Sequence, residues 1–145
     1  MLLHMPIGYD AQLRRQQDNI DRLGLEETWP GLALVRTGML RGNITRLLEN
    51  TESPSHHVSW LPRPYQVYAH LHHGGLGSVR PALRDMQARL LDTGRMPGEL
   101  LLGHLTCTRC ADQRGGEKIL LLRQWRESAV LRKRREKTTG ASVKR

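Results

Sequence analysis

Phenylalanine is absent from this 145-residue chain, and aromatic residues make up only 4% of it. The hydrophobic fraction is 38%, and leucine is its largest component. A chain of this length fits one domain. Because a leucine-rich core with few aromatic side chains buries little apolar area, we expect modest stability, supported by a metal or by a partner.

Long hydrophobic runs are also absent. No window approaches the ~18 apolar residues that a membrane-spanning helix requires. Met1–Pro6 lacks the basic start and the apolar core of a signal peptide. We therefore expect no membrane partner and an intracellular protein, nuclear in a eukaryotic host and cytoplasmic otherwise.

Cysteine is scarce: Cys107 and Cys110 are the two cysteines of the chain. Two cysteines are too few for a disulfide framework, and their spacing favours reduced thiols, metal binding or redox chemistry. The pair stands between two strand-like stretches and is followed by Gly115 and Gly116, an order that is typical of a zinc knuckle.

A closed zinc site needs four ligands, so the two thiolates need two more. His70 and His72 are the predicted partners, because they share one face of a strand predicted over 65–73 and lie roughly 6.5 Å apart along it. His104 is the alternative ligand. Two other interpretations stay open: the cysteines are small buried apolar residues beside solvated histidines, or Arg109 activates a redox thiol.

Acidic residues are rare at the end of the chain. Residues 117–145 hold ten lysines and arginines against three acids, a net of +7, whereas residues 1–116 hold thirteen against eleven, a net of +2. Such segregation indicates binding to nucleic acid, an acidic partner or an import receptor. The predicted nucleic-acid-binding residues are Arg123, Arg126, Arg132, Lys133, Arg134, Arg135 and Lys137.

Hydrophobic periodicity predicts an α+β fold that is mostly helical: a small single domain with a short β-hairpin at the cysteine pair and a basic C-terminal helix. Residues 1–50 form a helical half, with helices over 9–23 and 32–50, and residues 51–64 form a linker rich in proline and serine. Residues 65–137 form a mixed half, with helices over 78–93 and 123–137. Residues 138–145 are predicted to be a disordered tail.

No phosphate-binding loop, serine motif or carboxylate pair suggests an enzyme. The sequence predicts a non-enzymatic regulatory protein that binds nucleic acid, with RNA favoured over duplex DNA because no helix-turn-helix is recognisable. The alternative is an adaptor that binds a partner protein, of a host or otherwise, through leucine-rich helices, with the basic run serving as a nuclear localisation signal. The composition is similar to that of small accessory proteins of viruses or mobile elements.

Overall fold

A five-stranded antiparallel sheet forms the centre of the fold. The computed structural model describes residues 8–28, 31–36, 43–49, 52–106 and 111–142, without the side chains of residue 114 and residues 137–142. The strands are β1 Ala33–Arg36, β2 Asn43–Arg46, β3 Val67–His73, β4 Arg95–His104 and β5 Lys118–Glu127, and the sheet order is β2-β1-β4-β5-β3. The α-helices of the described residues are α1 Tyr9–Arg22, α2 Val79–Asp92 and α3 Ala129–Ser142.

The prediction of a mostly helical fold is therefore wrong, and the stretch over 32–50 shows why. It contains β1 and β2, which pair antiparallel with Val35 opposite Ile44. The helical spacing of Ile44 with Leu40, Leu47 and Leu48 was misleading. β-branched side chains favour strands, and glycines such as Gly38 and Gly42 disfavour a helix. Leu40 lies outside the described residues.

The helix predicted over 123–137 is also wrong in its first part, because β5 continues to Glu127. β5 lies between β4 and β3 and pairs with both. A central strand packs side chains on both of its faces, which explains the uninterrupted apolar run from Ile119 to Leu122. Residues 119–122 pair with β4 as the second strand of the hairpin predicted at the cysteine pair. The α3 helix includes residues 138–142, which were predicted to belong to a disordered tail.

The main core lies between α2 and one face of the sheet, which we call the helix face. Its buried side chains are Val35, Val79, Met86, Leu100, Leu102, Ile119 and Leu121. Tyr9 of α1 packs against this cluster, and the Gln16 side-chain amide donates a hydrogen bond to the Ile44 carbonyl at 2.8 Å. Met86 and Leu90 of α2 are both buried.

The opposite face of the sheet is apolar at its centre and charged near one end. Leu34 and Leu101 are buried there, and the Arg36 guanidinium pairs with the Glu99 carboxylate at 2.6 Å. Gly103 lies on this face, where a Cβ atom would meet the Leu34 side chain at 3.3 Å. The tight approach explains a glycine within a strand.

The segment between β2 and β3 has no helix or strand over residues 52–66. This agrees with the proline-rich composition, while the division of the chain into separate parts stays a prediction. The strands on either side of the segment belong to one sheet, because β1 pairs with β4 from Leu34–Gly103 to Arg36–Leu101. The elements predicted as a helix over 9–23, a strand over 65–73 and a helix over 78–93 are confirmed with small shifts of their ends.

Candidate nucleic-acid interface

The basic helix α3 is attached to the rest of the molecule at its first turn. The Ser128 N–H donates to the Gly94 carbonyl at 3.2 Å, and the Arg132 N–H donates to the Ser128 carbonyl at 3.0 Å. A Cβ atom on Gly94 would lie 3.6 Å from the Arg132 backbone. The turn between α2 and β4 therefore holds the start of α3, and 14 residues of helix extend about 21 Å from it.

The cations of α3 surround the helix. Successive residues are about 100° apart around a helix axis, so Arg132 to Arg135 span about 300° of the circumference. All four side chains are exposed. Arg132 lies 3.7 Å from Glu127, and both side chains are more than half exposed, at 65% and 73%. An ion pair in water at this distance contributes little, so α3 stays a strongly positive surface.

Arg123 and Arg126 do not extend this helix, contrary to the sequence prediction, but lie on β5. Arg126 is exposed and lies opposite Met96 of β4. Arg123 is partly buried on the helix face, opposite Leu100 and Tyr68. Burial lowers the pKa of the Arg123 guanidinium from its usual value. Its buried Nε has no hydrogen-bond acceptor among the described residues.

Trp125 belongs to β5 and not to the helix predicted over 123–137. It lies instead opposite Pro97 of β4, on the helix face with Arg123. The Arg95 guanidinium carbon stands 4.2 Å from the centroid of the Trp125 ring. This is a cation–π contact at the end of the sheet to which α3 is attached.

Sequence reasoning missed Arg95 and Tyr68 as members of this surface. A signal for them was present, because alternation along a strand puts Arg123 and Trp125 on the same side as Leu121. Reading residues 118–127 as a strand would have revealed that pair. The partners on β3 and β4 depend on strand register, which the sequence alone did not supply.

The histidines predicted as metal ligands lie at the opposite end of the sheet. His70 and His72 share the helix face of β3, as predicted, and the His72 Nε2 atom is 2.8 Å from the Ser78 hydroxyl. His104 lies on the same face of β4, and Ile119 of β5 separates it from His72. Two strand spacings amount to roughly 10 Å. Burial lowers the pKa of His104, and the nearby Glu117 opposes this effect.

Cys107 and Cys110 lie outside the described residues, as does Arg109. Among the residues that the structure describes, no group of three histidine, cysteine, aspartate or glutamate side chains comes together. The zinc site therefore stays a prediction. Strand β4 ends at His104, three residues before Cys107. His104 and His72 are the partners of Ile119 on its two sides. The cysteine pair therefore follows, in sequence, a strand end that is level with His72.

Within the described ranges, no helix is long and apolar enough to cross a membrane. No protein-family model, curated protein or solved structure matches the chain.

Proposed function

We propose that the protein binds nucleic acid, with RNA favoured over duplex DNA, and that α3 supplies most of the contacts to phosphate. The observation that carries the proposal is the exposure of Arg132, Lys133, Arg134 and Arg135 around one helix that extends from the sheet. Arginine and lysine neutralise phosphates and release counterions, which is the main source of affinity in such interfaces.

The shape of α3 supports this proposal over a purely structural role. A helix that packs on its own domain carries an apolar stripe, whereas cations point in every direction from residue 132 onward. Like charges three and four residues apart destabilise the helix slightly. A polyanion relieves that repulsion, so binding removes the destabilisation that the neighbouring cations cause in the free helix.

A test uses purified protein and single-stranded RNA at several salt concentrations. The quadruple variant R132A/K133A/R134A/R135A is compared with the parent. We expect weaker binding and a flatter plot of log affinity against log salt, by about 0.7 for each phosphate that the variant no longer neutralises. Purified protein is required because the same substitutions remove the predicted nuclear localisation signal.

A matched control removes the same number of charges elsewhere. Arg14 and Arg15 of α1 and Arg84 and Arg89 of α2 are at least partly exposed, so their replacement by alanine also lowers the net charge from +9 to +5. This control is expected to keep most of the salt dependence. Equal binding by the α3 variant and the parent at every salt concentration would reject the proposal.

An adaptor function is the alternative, and one observation favours it. Trp60 and Leu61 are neighbours in the segment over 52–66, with 61% and 46% of their surfaces exposed. Exposed apolar neighbours of this kind are common at protein-binding sites. Apolar binding to a protein partner would survive high salt, so the salt series separates the two functions.

A further inference from the structure

Arg123 is a cation on the central strand β5 without a counter-charge in the described part of the chain. Every aspartate and glutamate side chain of the protein lies in that part. The ion pairs there include Arg36 with Glu99, Arg46 with Glu27 and Arg132 with Glu127, and none of these three includes Arg123. A partly buried guanidinium with a buried, unsatisfied Nε destabilises the fold, because its hydration is removed without a replacement bond.

The neighbours of Arg123 point to the kind of anion that would satisfy it. Tyr68 lies directly opposite on β3, and Trp125 is two residues along β5 on the same face. Arg95 of β4 stands over the Trp125 ring. We call these four residues on three adjacent strands the Arg123 patch. Arg95 and Trp125 lie toward the end of the sheet where α3 begins, and Arg123 and Tyr68 lie nearer the middle of β5.

Two guanidinium groups beside two aromatic rings match the chemistry of a single nucleic-acid strand. Guanidinium groups bind phosphate in bidentate geometry, and aromatic rings and guanidinium planes stack on unpaired bases. Paired bases in a duplex have no exposed faces, so stacking selects a single strand. A carboxylate-bearing protein partner would use the cations but would leave the aromatic rings without a role.

The patch and α3 are joined by the chain itself. From Arg123 to Glu127, strand β5 spans about 13 Å, and α3 begins two residues later at Ala129. An RNA of several nucleotides that contacts α3 is therefore able to reach the patch. The two surfaces provide different contacts: α3 supplies charge alone, and the patch supplies charge with base stacking.

We propose that Tyr68, Arg95, Arg123 and Trp125 bind one phosphate and an adjoining base of single-stranded RNA. The inference rests on the proposed nucleic-acid binding and gives it a substrate class, single strands with unpaired bases. It also assigns a role to Arg123 that its position on the sheet otherwise leaves unexplained.

The test measures binding of the parent protein to three probes. They are an oligouridine of about twelve nucleotides, an abasic strand of equal length, and an RNA duplex of that length. We expect the parent to bind the oligouridine about tenfold more tightly than the strand without bases. Trp125→Leu should abolish that preference. Arg123→Met should weaken binding to both single strands about tenfold, the effect expected of removing one charge-assisted contact.

Folding is checked in the same samples by urea denaturation, since Arg123→Met removes an unpaired charge and should leave the midpoint unchanged or raised. Arg84→Met on the exposed side of α2 removes one charge elsewhere and serves as the matched control. If the parent binds both single strands equally, or if Arg123→Met binds like Arg84→Met, the patch has no role in binding.

The outcomes also separate this inference from the proposed function. RNA binding that depends on the α3 cations but not on Arg123 or Trp125 would overturn the patch alone. A preference for bases that disappears in Trp125→Leu, with no effect of the α3 quadruple variant, would keep the patch and reject α3 as the main contact. No binding of any probe at low salt would reject both.

Discussion

At the residue scale, one ion pair fixes the segment after α1 to the sheet. The Arg46 guanidinium of β2 makes a bidentate contact with the Glu27 carboxylate, in which the Arg46 Nε donates to Oε1 at 2.7 Å. Both side chains are largely buried, at 14% and 19% exposure. The Thr28 N–H also donates to the Leu47 carbonyl at 2.9 Å. The ion pair and the backbone bond together join residues 26–28 to the strand at the sheet edge.

We predict that Glu27→Gln lowers the free energy of unfolding by about 1–3 kcal/mol, because it leaves the largely buried Arg46 without a compensating charge. The measurement is urea denaturation at neutral pH. Glu26→Gln is the matched control, since it changes the same charge one residue away from the pair. Equal unfolding midpoints for the two variants would show that the Arg46–Glu27 pair contributes no stability.

At this scale, candidate site residues could be predicted only where the residue type by itself indicates a binding role. The run from Arg132 to Arg135 was found from charge alone, because consecutive cations have few structural explanations. Arg123 was found as a basic residue but assigned to the wrong element. Arg95 and Tyr68 were missed, because single residues of these types are common and only their position on neighbouring strands distinguishes them.

At the scale of elements, the predicted zinc site would join two strands. His70 and His72 lie on β3, and the cysteine pair follows β4. The contact between the His72 Nε2 and the Ser78 hydroxyl leaves the Nδ1 of that ring as the atom available to a metal. A hydrogen bond to the other ring nitrogen is the usual way in which proteins orient a histidine ligand.

We predict one zinc ion per chain, which Cys107→Ser should release, with a lower melting temperature for the C-terminal part. The measurement is elemental analysis of purified protein, together with melting curves with and without a chelator. His70→Asn, His72→Asn and His104→Asn then identify the two histidine ligands, and His56→Asn, in the exposed segment before β3, is the control. Protein without stoichiometric metal, and with melting unchanged by the chelator, would exclude the site.

The errors at the scale of elements have a common cause. Short apolar runs fit both helix and strand, and residues 32–50 and 118–127 contain such runs. Both stretches adopt strand conformation because neighbouring strands pair with them: β1 pairs with β2 and β4, and β5 pairs with β3 and β4. The amphipathic helices α1 and α2 were predicted well, because their spacing and their terminal glycines act locally.

At the scale of the whole molecule, the segment over 52–66 connects strands of one sheet. It has no helix or strand, and it contains Pro54, Pro62 and Pro64. The β1–β4 pairing crosses from one side of the segment to the other. Cleavage of the connection would leave that pairing and the core around Val35 in place.

We predict that limited proteolysis cuts first within residues 52–64 and that the two fragments stay together on size-exclusion chromatography. They should separate only in denaturant, because hydrogen bonds and buried side chains, not the connecting chain, hold them together. First cleavage elsewhere would show that the segment is packed. Separation of the fragments without denaturant would show that residues 1–50 form an independent unit.

The sequence by itself determined the helices α1 and α2, the strand β3 and the concentration of positive charge in residues 117–145. These features depend on local spacing, local breakers and composition, which act without the rest of the chain. Tertiary structure alone decided that residues 33–46 and 118–127 contribute strands, because strand pairing joins residues far apart in sequence. It also decided that Arg123 lies between Tyr68 and Leu100, since the register of three strands brings those side chains to one row. A register is fixed by the burial of a whole face, and no single stretch of the sequence contains that information.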